Sequence, residues 1–379
     1  MSFVSQLSLQ NFRNYDEARF DNIQSGFVIL HGANGAGKTN ILEAISLLSP
    51  GRGIRSARVQ DIQNSEKPSP WGLSSRIATD GGDVKIGTGL DVQTSRRTIR
   101  INGAPAKSQT ALSDYVACVW LTPQMDRLFM ESVGTRRRFL DRMVFTFDPG
   151  HSGRVARYEN AMRQRAKLLE EGNSDPKWLS GIEAQMAETG IAISAARIDF
   201  IERLQNAIDK GEQNEEQFFP KARIHLKGTV EELLNNTPAV EAEKLLKYQL
   251  EESRNHDRQN IGTATGPHKT DMQVYFASRN MLAGQCSTGE QKALLIGLIL
   301  AQARMMAAER GFVPILLLDE IAAHLDEERR GALFERLQAL NSQVWMTGTD
   351  TKSFSAIANQ SQFFEIENAQ IVKPAEKAA

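Results

Sequence analysis

The stretch His31–Asn40 contains the residues of this sequence that are best suited to chemistry. From Gly32 to Thr39 it matches the pattern G-x-x-x-x-G-K-[ST] in full. Glycines in such a loop let backbone N–H groups point into one concavity, the lysine reaches the terminal phosphates of a nucleotide, and the hydroxyl binds Mg²⁺. The alternative is a glycine-rich turn in which the Lys-Thr pair is a coincidence. The pattern predicts nucleotide contacts from Gly32, Ala33, Asn34, Gly35, Ala36, Gly37, Lys38 and Thr39.

A second reactive pair, Asp319-Glu320, ends the continuous apolar run Val313–Leu318. Such a run is typical of a parallel strand buried on both faces. We predict that Asp319 lies beside Mg²⁺, directly or through water, and that Glu320 is the catalytic base that orients the attacking water. With Lys38, Glu320 forms the predicted catalytic set. Without a phosphate loop, the same acidic pair would be read as the cap of the next helix.

A third segment, Cys286–Lys292, lies ahead of this strand, with a predicted long helix to about Arg310 between them, and contains Ser287 and Glu290 in an S-x-x-E arrangement. This spacing predicts a capping box at the start of a helix. A helix start also offers N–H groups and a hydroxyl to which a phosphate binds well. Both interpretations remain open at this point, because the cap could rearrange when a phosphate arrives.

The surrounding pattern predicts the elements that position these residues. An apolar run at 27–30 precedes the phosphate loop, and apolar residues at helical spacing follow it. Strands are predicted at 3–9 and 115–121, antiparallel β-structure at 74–104 with a hairpin turn at Asn102-Gly103, and a long helix from Trp178 to Lys210. We therefore expect an α/β head formed by residues 1–124 and 281–373, a mainly helical second domain at 125–280, and a disordered tail at 374–379.

The composition and charge of the chain narrow the functional classes to which the protein can belong. The chain has 379 residues, a net charge of −1, and two widely separated cysteines that match no metal spacing. We see no signal peptide, and the longest apolar stretch, Ala293–Ala303, is too short to cross a bilayer. We expect a cytoplasmic protein with no membrane partner, in which any nucleic-acid site is a local basic patch.

Two arginine clusters are the candidates for such a patch. Arginine pairs with phosphate through a planar fork, and no aromatic ladder accompanies these clusters, so we expect backbone contacts to DNA with little sequence preference. The alternative is a solvated loop or helix face, with arginines that pair with Asp141. The candidate DNA contacts are Arg52, Arg55, Arg136, Arg137 and Arg138.

The order of these motifs resembles that of a known family. A phosphate loop, a later S-x-G-[EQ]-Q-[KR]-type segment, a strand ending in Asp-Glu, and then His324-Leu325-Asp326 are similar to ABC-type ATPase heads. Further segments match the RecF family, the bacterial SMC-related recombination-repair proteins, from about residue 3 to residue 371. These segments are Leu9–Tyr15, Gly32–Asn40, Gly51–Arg55, Arg137–Asp141 and Gly266–Lys269.

The resemblance implies an ABC-type P-loop ATPase head with a mainly helical inserted domain, which binds ATP and Mg²⁺ between two head-to-tail subunits. It implies that Asp326 lies at the dimer seam, that Gln124 contacts the nucleotide and the Mg²⁺, and that Arg13 lies near the adenine. Thr39, Asp319 and Gln124 would then surround the metal. The signature segment that would reach the partner's nucleotide consists of Ser287, Gly289, Glu290 and Gln291.

The resemblance also implies a function. RecF-like proteins form an ATP-dependent homodimer on double-stranded, gapped or junction DNA, help to load recombinase, and work with RecR, RecO and RecA. A transporter head would have a histidine after the strand at 343–346, where this chain has Thr347-Gly348-Thr349. That difference indicates a slow ATPase that works as a switch, and the resemblance implies that DNA stimulates it. The alternatives are an SMC-type head coupled to a nuclease and a transporter-type ATPase subunit.

Overall fold

The computed structural model describes residues 2–64, 66–67, 69–172, 175–211, 218–260 and 262–372. The predicted disordered tail at 374–379 lies outside these residues. Within them, no helix is both long enough and apolar enough to cross a membrane.

The chain combines strands and helices throughout, as predicted for an α/β protein. The strands are β1 (Phe3–Phe12), β2 (Tyr15–Phe20), β3 (Phe27–His31), β4 (Gly72–Ala78), β5 (Val84–Asp91), β6 (Arg96–Ile101), β7 (Ala104–Pro105), β8 (Cys118–Leu121), β9 (Ala222–Lys227), β10 (Asp271–Phe276), β11 (Met281–Leu282), β12 (Ile315–Leu318), β13 (Val344–Gly348), β14 (Ser361–Glu367) and β15 (Gln370–Val372). The helices are α1 (Lys38–Ser46), α2 (Val133–Phe147), α3 (His151–Glu171), α4 (Pro176–Asp209), α5 (Thr229–Asn236), α6 (Ala239–Glu252), α7 (Arg254–Asn260), α8 (Thr288–Arg310) and α9 (Glu327–Ala339).

Two sheets surround the phosphate loop. We call the antiparallel sheet β2-β1-β4-β5-β6-β7 the lobe sheet, and the sheet β15-β14-β3-β13-β12-β8 the nucleotide sheet. In the nucleotide sheet, β14, β3, β13, β12 and β8 run parallel, and only β15 is antiparallel. Helix α1 buries its apolar face in one core with the inner face of the lobe sheet and with the nucleotide sheet. Burial of this large apolar surface is what fixes the helix behind the loop.

The predicted antiparallel region at 74–104 is confirmed as β4–β7. Its hairpin turn has Asn102 and Gly103 at φ +51° and +83°, the left-handed pair that a two-residue turn requires. The predicted long helix is confirmed as α4. The strand predicted at 115–121 is shorter, because Tyr115 has helical dihedrals and donates its N–H to the Leu112 carbonyl, so that β8 begins only at Cys118.

Contacts between Cα atoms divide the chain into two compact units, and the chain passes to the second after Asp126 and returns to the first after Gly297. Residues 218–219 also belong to the first unit. The sequence prediction placed these boundaries after residues 124 and 280. The second boundary therefore falls inside α8, where the sequence shows no break in the helical pattern.

The second unit contains α2–α7 and a three-stranded antiparallel sheet, β11-β10-β9. Its core lies between α3, α4, α5 and α6 and contains Met186, Ala242, Leu246 and Leu250. Buried ions are paired here: Arg165 contacts Glu183 at 2.9 Å and Asp257 at 2.7 Å. Paired buried charges of this kind hold helices in one arrangement and are costly to break singly.

Candidate nucleotide site

Four functional segments meet at one edge of the nucleotide sheet, because its strands are parallel. The phosphate loop follows β3, the acidic pair follows β12, Thr347 lies within β13, and Gln124 lies in a short 3₁₀ turn after β8. The register is continuous, with Leu318 opposite both Met346 and Leu121, and Met346 opposite Ile29. The carboxyl ends of parallel strands are where open α/β sheets bind ligands.

The phosphate loop folds tightly around the Lys38 side chain. Its Nζ atom donates to the carbonyl oxygens of Gly32 at 2.6 Å and of Ala33 at 2.8 Å, and the side chain is almost fully buried. The glycines at 32, 35 and 37 have positive φ angles of 141°, 83° and 112°. This backbone course ends at the first turn of α1, where the helix dipole favours an anion.

The loop glycines differ in what surrounds them, and this gives a matched pair of variants. An alanine Cβ at Gly32 would lie 2.1 Å from the backbone carbonyl oxygen of Ile366, whereas one at Gly35 would meet nothing within 4 Å. We expect Gly32→Ala to lose about 3 kcal/mol or more of stability together with nucleotide binding. Gly35→Ala carries only the left-handed backbone cost of about 1–2 kcal/mol. Thermal unfolding and nucleotide titration check this, and equal stability of the two variants would contradict the loop geometry.

Thr39 and Asp319 come together beside the loop, as the sequence predicted. The Thr39 hydroxyl donates to the two Asp319 carboxylate oxygens at 3.0 and 3.1 Å. Burial raises the pKa of the Asp319 carboxyl above its usual value, and the hydrogen bonds from Thr347 and Thr39 oppose that rise. Burial likewise lowers the pKa of the Lys38 ammonium, while the charges of Glu320 and Asp319 act in the opposite direction.

Thr347 links the two acidic residues, which the sequence did not predict. Its hydroxyl donates to Asp319 Oδ1 at 2.8 Å and accepts the backbone N–H of Glu320, also at 2.8 Å. The Glu320 backbone has φ +53°, an unusual conformation for a non-glycine residue. Such conformations persist only where neighbouring groups hold them, and they cluster at functional sites. Thr347 supplies that support from the strand end where a transporter head would have its histidine.

We expect Thr347→Val to lower ATP turnover about tenfold and to raise the Mg²⁺ concentration needed for turnover. The change leaves the Glu320 N–H without its acceptor and removes a hydrogen bond to Asp319, a loss worth about 1–3 kcal/mol. Thr347→Ser keeps the hydroxyl and is the matched control. Steady-state turnover over a range of Mg²⁺ concentrations checks this, and unchanged Mg²⁺ dependence in the valine variant would exclude a positioning role.

Oxygen ligands for Mg²⁺ are present at the site, in the Thr39 hydroxyl and the Asp319 carboxylate. These donors fit the metal, which is usually bound by one or two carboxylates plus substrate phosphates and water. Among the residues that the structure describes, no group of three or more His, Cys, Asp or Glu side chains could hold a metal ion by itself. A metal here would therefore take its remaining ligands from the nucleotide and from water.

Arg13 and Arg55 converge on one buried carboxylate of α1. Both oxygens of Glu43 accept hydrogen bonds from Arg13, at 2.5 and 2.8 Å, and Arg55 contacts Glu43 at 2.7 Å and the Asn40 amide oxygen at 2.6 Å. The Arg55 charge also acts on Asp319. Arg55 thus lies beside the nucleotide site. Because its guanidinium group, like that of Arg13, binds Glu43, the predicted contact of Arg55 with DNA has no support in this structure. The placement of Arg13 near an adenine stays a prediction.

The predicted signature segment forms the capping box that the sequence indicated. Ser287 N–H and Oγ both contact Glu290 Oε2 at 2.9 Å, and Glu290 N–H donates to Ser287 Oγ at 3.3 Å. The hydrogen bond from the Ser287 backbone N–H lowers the pKa of the Glu290 carboxyl below its usual value. Ser287 is exposed and Gly289 partly exposed, whereas Gln291 is buried and donates its amide to the Cys286 carbonyl at 2.9 Å. Gln291 is therefore part of the support of this turn.

The remaining predicted residues have mixed surroundings. Gln124 is exposed, and the Asp326 side chain caps α9 by accepting the Arg329 N–H at 2.8 Å. The predicted contact of Gln124 with the nucleotide and Mg²⁺, and the predicted place of Asp326 at the dimer seam, stay predictions.

The second arginine cluster is largely structural. Arg136 makes a two-point ion pair with Asp271 at 2.7 and 2.9 Å, and Arg137 is half-buried with its pKa lowered by burial. Asp141 does not pair with this cluster, because Arg197 and His151 occupy it at 2.7–2.8 Å. Of the predicted DNA contacts, Arg138 in this cluster and Arg52 and Arg55 in the loop after α1 are exposed.

Comparison with known proteins identifies the family that the sequence motifs resemble. The family model described as RecF/RecN/SMC N terminal domain matches residues 3–372. The chain is 46% identical over 370 residues to a "DNA replication and repair protein RecF" from Mesorhizobium japonicum, covering 97% of each chain. It is 46% identical over 372 residues to the RecF protein of Agrobacterium fabrum, covering 97% of this chain and 98% of that protein.

Solved structures agree on the fold. The structure titled "recombination mediator protein RecF-ATPrS in RecFOR pathway" matches with a TM-score of 0.85 at 23% identity, covering 99% of this chain and 98% of the other. An Smc head domain from Pyrococcus furiosus matches with a TM-score of 0.54 at 15% identity, covering 99% and 97%. The predicted ABC-type head fold is confirmed, and the chain belongs to the RecF family.

Proposed function

We propose that this protein is an ATP-dependent DNA-binding protein of recombinational repair and replication, acting in the cytoplasm on gapped or junction DNA. One observation carries the proposal: Lys38, Thr39, Asp319 and Glu320 converge at one edge of the nucleotide sheet. The names of its relatives, "DNA replication and repair protein" and "recombination mediator protein", support the biological setting.

In this proposal the chain's own residues divide the chemistry of ATP hydrolysis. Lys38 and the loop N–H groups bind the phosphates, and Thr39, Asp319 and Gln124 would hold Mg²⁺, which neutralises phosphate charge when bound. Glu320 orients and deprotonates the attacking water, and Thr347 fixes the backbone that presents this carboxylate. The missing histidine after β13 supports a slow ATPase, and we propose that DNA stimulates it.

The nucleotide would be shared by two molecules in a head-to-tail dimer. Ser287 and Gly289 of one molecule would contact the terminal phosphate held by the other, with Asp326 at the seam. The exposure of Ser287 at a helix start is consistent with this role, because such a helix start binds anions. ATP would then join the dimer and hydrolysis would release it. We extend the proposal to RecR and RecO as partners and to the loading of RecA, which the family and the RecFOR pathway suggest.

The oligomeric state with and without ATP tests the proposal. We expect sedimentation at micromolar protein to show a shift to dimer when ATP and Mg²⁺ are added, with DNA bound more tightly by the same sample. Lys38→Ala should abolish both changes. A chain that binds ATP but neither dimerises nor binds DNA would rule the proposed function out.

A further inference from the structure

The outer face of the lobe sheet has an unusual composition for a solvent-exposed surface. Inward residues such as Leu7, Leu73 and Ile86 are buried, so the alternate residues of each strand point outwards. The outward residues of the central strands β4 and β5 include Gly72, Ser74, Gly87 and Gly89. A hollow of about 460 Å³ lies over this floor, lined also by Ser8, Gln10, Glu17, Thr98 and Arg100.

The strand register aligns one row across the whole face. Arg19 lies opposite Ser8, Ser8 opposite Ser74, Ser74 opposite Gly87, and Gly87 opposite Arg100. Four strand spacings separate the two arginines at the ends, which is about 19 Å at roughly 4.8 Å per strand. The row therefore has a cation at each edge and only small residues between them.

Packing requires glycine at only one of the three glycine positions of this floor, because a Cβ at Gly89 would lie 2.7 Å from the backbone carbonyl oxygen of Trp71. A Cβ at Gly87 would come no closer than 4.0 Å to any atom, and one at Gly72 no closer than 3.9 Å, and neither residue has a left-handed backbone. Glycines in a strand that packing does not demand often mark a place where another molecule approaches closely. The absence of side chains keeps the hollow open.

The charge of the face identifies the kind of molecule that fits. It presents five cations against four carboxylates, Glu17 and Asp91 on its strands and Asp21 and Asp83 beside them, although the whole chain has a net charge of −1. Arg19 contacts Asp21 at 2.9 Å and Arg76 contacts Asp83 at 3.5 Å, both in exposed pairs that contribute little and that a phosphate can displace. Among the described residues, the other three cations make no ion pair. The cations are Arg19, Arg76, Lys85, Arg96 and Arg100.

We propose that this outer face of the lobe sheet, from Arg19 to Arg100, binds the sugar-phosphate backbone of duplex DNA. The inference rests on the proposed DNA-binding function and places it on a surface other than the arginine clusters predicted from the sequence. A protein partner is disfavoured, because interfaces depend on buried aromatic or aliphatic anchors, and none of the large exposed apolar side chains of the described residues lies on these strands. Cations around a small polar floor suit backbone contact without base readout.

The test compares two variants of the full chain with the wild type, with ATP and Mg²⁺ present and a fluorescent DNA duplex as probe. Lys85→Ala/Arg100→Ala removes two unpaired cations and should lower affinity at least about tenfold at 100 mM salt, reducing the slope of log K against log salt by about 2. Gly87→Gln fills the floor without changing charge and should weaken binding several-fold. Lys167→Ala/Lys247→Ala, on exposed helices of the second unit, is the charge-matched control and should cause a smaller loss.

The outcomes separate this proposal from the function on which it rests. A wild type that binds no duplex would overturn both. A second outcome is that the wild type binds duplex while Lys85→Ala/Arg100→Ala shows the same affinity and salt slope, or loses no more affinity than the control. That result would overturn the proposed DNA contact of the lobe sheet and leave the proposed function standing. Loss of binding to a mediator protein with DNA binding intact would also overturn it. Nucleotide titration of each variant shows that the site on the nucleotide sheet is intact.

Discussion

Glu320→Gln should lower ATP turnover by a factor of about 10²–10⁴ while leaving ATP binding close to that of the wild type. Glutamine keeps the size of the side chain and one oxygen that can orient water, but it cannot accept the proton. The backbone of residue 320 is held by Thr347 through its N–H, a contact that does not depend on the side chain. The variant should therefore fold normally and fail only at the chemical step.

The same variant should accumulate as an ATP-bound dimer, because the step that releases the dimer is the one it lacks. Glu328→Gln removes an exposed carboxylate in the first turn of α9 and is the matched control, expected to turn over ATP normally. Turnover and sedimentation on the same samples give both readouts. If Glu320→Gln stays monomeric with ATP at micromolar protein, ATP is not what joins the two molecules.

Ser287→Arg should abolish ATP-dependent dimerisation and lower turnover at least about 100-fold, since it replaces the proposed donor to the terminal phosphate by a bulky side chain. ATP binding by the single molecule should change little, because the phosphate loop and the acidic pair belong to the first unit and Ser287 to the second. Equilibrium nucleotide titration and sedimentation measure these two properties separately.

The loss of the capping box could by itself weaken α8, and a second variant separates that effect. Ser287→Asp keeps a good N-cap, yet its charge repels a phosphate. It should therefore also fail to dimerise while keeping the stability of the wild type. Normal ATP-dependent dimerisation of Ser287→Asp would show that Ser287 does not face a phosphate of the partner molecule.

The parts of the site that the sequence predicted are those whose residues lie close together in one short segment of the chain. The phosphate loop, the Asp319-Glu320 pair and the Ser287–Glu290 capping box each depend on local spacing and on one neighbouring element. The phosphate loop and the acidic pair meet at one sheet edge because the strands that precede them, β3 and β12, run parallel in one sheet. The order of these segments along the chain indicated an ABC-type head, and the RecF family was indicated by the further segments Leu9–Tyr15, Gly51–Arg55, Arg137–Asp141 and Gly266–Lys269.

The parts that the sequence did not predict depend on pairing between distant segments. Thr347 reaches the acidic pair only because β12 and β13 are neighbours in the sheet. Arg136 looked available for DNA because its partner Asp271 is 135 residues away. The basic outer face of the lobe sheet gathers alternate residues from five strands, so no local run of Lys and Arg reveals it.

The central claim is that each nucleotide site is completed by a second molecule, and mixing two inactive variants tests it most directly. Lys38→Ala lacks the phosphate contact and Ser287→Arg lacks the contact made across the dimer, so neither variant can form a complete site with a second copy of itself. In a mixed dimer, one site contains both substitutions. The other site combines the intact Lys38 of the Ser287→Arg molecule with the intact Ser287 of the Lys38→Ala molecule. Because only mixed dimers form and each has one complete site out of two, equal mixing should restore up to about half of wild-type ATP turnover, as the two-fold arrangement requires. Turnover no higher than the sum of the separate variants would contradict the shared site.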